Sequence, residues 1–172
     1  MNNTLTFEMV LHLPETLHEL AEVYGDCSEL LGNEICDQYN IRAIRLDIEK
    51  KFTKFKNMKS IQKLPVESLA NLSPSFNLKE GFSQRKISKP TENIAIKLVS
   101  SENYLEKFYN CAMMLATKLT RDEVEFLVKT FFYNKTFDVT MSEMSFGKNK
   151  MEEIKRSCIV KTYCEFEALD DE

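Results

Sequence analysis

The chain has 172 residues, 43% of them hydrophobic and 29% charged, with a net charge of −4. That length makes one domain or two small ones, and the composition is that of a folded globular protein rather than a disordered chain. No apolar run reaches the ~18 residues a membrane span requires, and the opening MNNTLTFEMVLHL lacks the basic residues of a secretory signal, so a cytoplasmic protein is expected.

Five cysteines (Cys27, Cys36, Cys111, Cys158, Cys164), an odd number with no CxxC pair, are expected to be reduced and to act as small apolar residues. A zinc site from His12, His18, Cys27 and Cys36 can be drawn, but its spacings match no common ligand pattern, and no metal or other cofactor is expected. Charge is segregated along the chain. Residues 1–40 carry −8, residues 41–63 carry +6, residues 148–161 carry +3 and the last eight carry −5. Such blocks can satisfy one another across the fold or mark partner-binding faces.

In chain order, Pro14 and Glu15 suit the first turn of a helix. Leu17, Leu20, Tyr24, Cys27, Leu31 and Ile35 follow at helical steps, interrupted by Gly25 and Gly32. After Asn40, the residues Ile41, Ile44, Ile48, Phe52 and Phe55 continue the period among basic residues. Two adjoining helices of opposite charge predict an antiparallel hairpin. Ile41, Ile48 and Phe55 also recur every seven residues, so this stripe fits a homodimer seam as well as a hairpin closing on Leu17, Leu20, Tyr24 and Leu31. Residues 64–92, with Pro65, Pro74, Gly81 and Pro90, read as a linker. The expected organisation is all-α: a helical interaction module at 1–63, the linker, and a helical DNA-binding domain at 93–172. On this organisation a fragment beginning at Lys89 folds alone.

The second half is helical from Thr91, with Ile94, Leu98, Tyr104, Leu105, Phe108 and Leu115 in register. Thr120–Glu123 is a capping-box pattern opening a helix through Val124, Leu127, Val128 and Phe131 that ends near Asn134. Thr140–Glu143 looks like a second capping box, opening a short helix that ends at Met144. Ser145, Phe146 and Gly147 then form a turn, and another helix starts near Lys148. Two helices joined by a short turn, the second rich in Lys and Arg, is the helix-turn-helix design. In that reading Met151, Ile154 and Cys158 face inward, while Lys148, Asn149, Lys150, Glu152, Lys155 and Arg156 face DNA. Asn can read adenine edges, Lys and Arg guanine edges or phosphates, and Glu cytosine. A solvated surface helix carrying ordinary i, i+4 pairs fits the same pattern. Met141 stands where such motifs usually have a small residue, and Ser145 where Gly is commoner.

The segments SKPTENIAIKL, NYLEKF, LTRDEVEFLVKTFFYNK and MSFGKNKMEEIKRSCIVK resemble the ArpU/RinA-type phage transcriptional regulators over about residues 82–168. The resemblance implies a unit like region 4 of sigma factors, activation of late genes in phages of Gram-positive bacteria, double-stranded promoter DNA and host RNA polymerase as partners, and the host cytoplasm as location. The chain departs from the family pattern at Phe146-Gly147, at Met151 where an aromatic is common and at Cys158 where Ala is common. Residues 1–80 share no such likeness. An enzyme is not expected: the sequence has no Gly-rich phosphate loop, HExxH or carboxylate motif, and its two histidines, His12 and His18, fit structural or solvated positions. The competing function is a helical adaptor that binds another protein through the acidic N-terminal helices without touching DNA.

Overall fold

The computed structural model describes residues 5–63 and 90–170, with the side chains of the second segment from Ala95 onward. These residues form eight α-helices and no strand. They are α1 (Phe7–Leu11), α2 (Leu13–Tyr24), α3 (Asn33–Cys36), α4 (Ile41–Lys63), α5 (Pro90–Ala116), α6 (Arg121–Leu127), α7 (Phe137–Met144) and α8 (Lys148–Phe166). A π-helical turn, Val128–Phe132, extends α6, and a short 3-10 turn follows each of α2 and α8.

α2 is shorter than its periodicity predicts. It stops at Tyr24, and the chain passes through a 3-10 turn into extended backbone at Ser28 (φ −110°, ψ 148°). At Gly25 the end of α2 abuts the start of α6. A Cβ there would meet Arg121 Cγ at 2.6 Å, so only glycine lets the end of α2 press on the start of α6. Arg121 then donates to the Glu22 carbonyl at 3.3 Å and to Asp26 at 3.1 Å. Tyr24 and Ile35, expected on a buried stripe, are exposed. The predicted hairpin is also absent as drawn: α2 packs on α5 and α6, while α4 packs on α5 and α8.

The apolar stripe of α4 is buried against the chain's own second half. The Phe52 ring lies 5.1 Å from Phe108, 5.1 Å from Phe131, 5.0 Å from Phe132 and 5.7 Å from Phe166, centroid to centroid. Phe55 stacks on Phe108 at 4.1 Å. Ile44 and Ile48 are buried on the same face, so this stripe is not free to serve as a dimer seam. Lys51, which interrupts the heptad pattern, is 6% exposed. It donates to Asp170 at 2.8 Å and forms an ion pair with Asp47 at 2.8 Å that lacks hydrogen-bond alignment. Burial works against its charge, but the two carboxylates outweigh burial and raise its pKa. Tyr104 donates to the Lys51 carbonyl at 3.0 Å from inside the core.

α4, within the expected 1–63 module, supplies the centre of a core whose other walls are α5, the π turn and α8 of the expected 93–172 domain. Of the expected linker, residues 64–89 lie outside the described residues, and Pro90–Glu92 already belong to α5. A fragment beginning at Lys89 lacks Phe52 and Phe55, and Phe108, Phe131 and Phe166 would lose the partners that cover them.

Phe52→Ala is expected to cost about 3–5 kcal/mol, the usual loss for a fully buried aromatic. It should shift one cooperative denaturant transition as a whole. A second transition that stays where it was would show two independently folding halves.

Candidate nucleic-acid interface

The second half of the chain is positioned by one buried carboxylate. Thr120 caps α6 as its sequence predicts: Glu123 N donates to Thr120 Oγ1 at 3.2 Å, and Thr120 N donates to Glu123 Oε2 at 2.8 Å. The sequence does not reveal that Glu123 is 0% exposed. A carboxylate taken from water needs its lone pairs filled. Here Ser157 of α8 donates to Oε1, and Lys161 of α8 donates to Oε2 at 2.8 Å. The Lys161 ammonium also donates to the carbonyls of Glu29, at 2.7 Å, and Lys118, at 3.0 Å. Leu31 N donates to Ser157 Oγ at 2.8 Å. α6, α8 and the 28–32 segment thus meet at one satisfied polar cluster. Beside it, burial pushes the Cys158 thiol far up in pKa, so this cysteine is neutral packing.

α7 starts one turn earlier than predicted. Its N-cap is Thr136, whose Oγ1 accepts from Val139 N at 3.4 Å. Thr140 lies inside the helix, fully buried, with a hydroxyl that has no partner among the described residues. Thr136 and Thr140 are both capping candidates in sequence, and the chain caps with the earlier one. Glu143, expected to close a capping box, instead binds Lys129 at 2.6 Å and Lys135 at 2.7 Å. These two ammonium groups, Lys129 first, hold its carboxyl below the usual range.

Ser145, Phe146 and Gly147 connect α7 to α8, as the sequence predicts. Ser145 adopts φ 59° and ψ 29°, the left-handed region that glycine enters most easily. Phe146 tucks half-buried onto the core, and Gly147 precedes the first turn of α8. Met151, Ile154 and Cys158 are fully buried.

The six residues expected to face DNA divide into two groups. Lys148, Asn149 and Lys150 are exposed at the start of α8, and Lys150 is only loosely paired with Glu153, at 3.8 Å. Glu152, Lys155 and Arg156 are half-buried and engaged with the protein itself. Lys155 binds Glu152 at 2.6 Å and sits over the Phe137 ring at 4.8 Å. Arg156 pairs with Asp37 and reaches Asn33 at 3.4 Å. Lys161, one more base of the same stretch, is wholly structural. Sequence reasoning missed both Asp37 as a partner for Arg156 and the burial of Glu123. The only local hint of the second is that Ser157 and Lys161 stand four residues apart, as helical neighbours.

No His/Cys/Asp/Glu group among the described residues could hold a metal ion, and no described helix is long and apolar enough to cross a membrane. Searched against protein families, curated proteins and solved structures, the chain finds no match.

Glu123→Ala should destabilise the protein by about 3–5 kcal/mol, because it strands the Lys161 ammonium in a largely buried site. Adding Lys161→Ala should then cost much less than it does alone. Additive losses in a double-mutant cycle would show that the two groups are not coupled. Ser145→Gly should raise stability by about 1 kcal/mol by relieving the left-handed serine. An unchanged or lower melting temperature would mean that the turn carries no such strain.

Proposed function

We propose that α7, the Ser145–Gly147 turn and α8 form a helix-turn-helix that binds double-stranded DNA. The observation that carries this reading is the division of α8. Met151, Ile154 and Cys158 are locked in the core, while Lys148, Asn149 and Lys150 stand exposed together at its first turn. The N-terminal residues of a recognition helix are the ones that reach base edges. Together with the sequence resemblance, this supports a transcription activator of the ArpU/RinA type, acting on phage or prophage late promoters with host RNA polymerase in the bacterial cytoplasm. It is a binding protein rather than an enzyme. Two copies, if they pair on DNA, do so through a face other than the α4 stripe. In this reading Asn149 reads a base, and Lys148 and Lys150 hold phosphates. Glu152, Lys155 and Arg156 contribute from the neighbouring face once DNA competes with their internal partners.

The adaptor reading also has an observation in its favour: Val23 and Tyr24 are 67% and 42% exposed at the end of the acidic helix α2. DNA binding separates the two.

Lys148→Ala/Lys150→Ala should lower the slope of log affinity against log salt by about 2, with helicity unchanged. Asn149→Ala should cost about 1–3 kcal/mol on a cognate promoter and little on random duplex. Equal losses on both DNAs would remove Asn149 from base reading. If the full chain shows no salt-dependent retention of duplex DNA, the acidic α2 face becomes the working surface.

A further inference from the structure

The start of α4 and the flank of α8 face each other across a groove. Ile41, Arg42 and Arg45 form one wall, and Glu152, Lys155 and Arg156 the other. Four cations line this space with one carboxylate, and Glu49 and Asp37 beside it answer Arg45 and Arg156. We infer that the groove seats the DNA backbone, so that α4 is part of the DNA-binding surface; the inference rests on the DNA reading above and names a further contact for it.

Arg42 and Arg45 are three apart on one helix, hence neighbours on one face, where like charges repel. Arg42 is exposed and makes no ion pair or side-chain hydrogen bond among the described residues. Arg45 gives its Nε to Glu49 at 2.9 Å, and its two terminal nitrogens have no partner among the described residues. Across the groove, Lys155 and Arg156 are held by Glu152 and Asp37, so carboxylates answer the cations of one wall more fully than those of the other. A polyanion would relieve the excess. A guanidinium offers a planar fork of donors that matches two phosphate oxygens at once.

The groove is also rigid. Ile44 and Ile48, on the same helix as the two arginines, are buried in the core, as are Met151 and Ile154 on α8. Arg42 and Arg45 are therefore fixed relative to Lys148 and Asn149 rather than carried on a tether. Phosphate contacts of this kind set the register of a helix on DNA without reading sequence.

The test is duplex binding by the full chain across a salt series, using a mixed-sequence duplex pool. Arg42→Ala/Arg45→Ala should lower the salt slope by about 2 and weaken all duplexes alike, with the wild-type circular dichroism spectrum retained. Arg42→Lys/Arg45→Lys should keep most of the slope, because a point charge still meets a phosphate. If the double alanine variant does not fold, each single alanine variant should lower the slope by about one. A wild-type slope in the alanine variants, alongside a reduced slope in Lys148→Ala/Lys150→Ala, overturns the α4 contact and leaves the helix-turn-helix reading intact. Absence of salt-dependent binding by the wild-type chain overturns both.

Discussion

The buried Glu123 carboxylate is the point on which the candidate interface depends. A charge inside a protein is tolerated only when each lone pair has a donor, and the donors come from two separate parts of the chain, the start of α6 and α8. The cap at Thr120 fixes the start of α6. Ser157 and Lys161 fix the rotation of α8 about its own axis, which decides that Met151 and Ile154 point inward and Asn149 outward. Through Ser157 and the Glu29 carbonyl, the same cluster holds the 28–32 segment, and that segment leads into α3, which places Asp37 beside Arg156. A change at Glu123 would be felt at the exposed first turn of α8, which it never touches.

The Phe52 cluster plays the complementary role. It sets α4 against α8, where the polar cluster sets α6 against α8. One anchor is apolar and the other ionic, and they act on different faces of the same helix. Lys56 reinforces the apolar one, donating to the Phe131 carbonyl and to Asn134 Oδ1, both at 2.6 Å. The basic stretch 41–63 therefore splits in use. Lys51 and Lys56 are consumed internally, whereas Arg42 stays open to solvent.

Local features were legible in the sequence. The Thr120–Glu123 cap, the Ser145–Gly147 turn, the start of α8 at Lys148 and its buried stripe all follow from spacing and side-chain type over a few residues. Long-range pairing was not legible. Periodicity shows that α4 has an apolar face but not which partner covers it, and a hairpin or a dimer seam would bury the same stripe that α5 and α8 cover. Charge counting failed for a related reason: a lysine in a basic run looks the same whether it meets solvent, as Lys148 does, or three oxygens of the fold, as Lys161 does. The end of α2 is met by Arg121, almost a hundred residues away, and no local signal at Gly25 distinguishes a close approach from a simple helix breaker. At Thr136 and Thr140 two equivalent caps competed, and burial of the second decided between them.

The sequence separations in these anchors constrain when the molecule can take shape. Leu31 meets Ser157 across 126 positions, and Lys51 meets Asp170 across 119. Contacts this distant are slow to close. On the ribosome, Phe52 stays incompletely covered until Phe166 has emerged as well as Phe108 and Phe131. A nascent or prematurely terminated chain thus carries the arginines of α4 without an assembled α8, and an exposed aromatic stripe that invites aggregation or proteolysis. The exposed first turn of α8 and the groove it shares with α4 are therefore assembled only when these long-range anchors close.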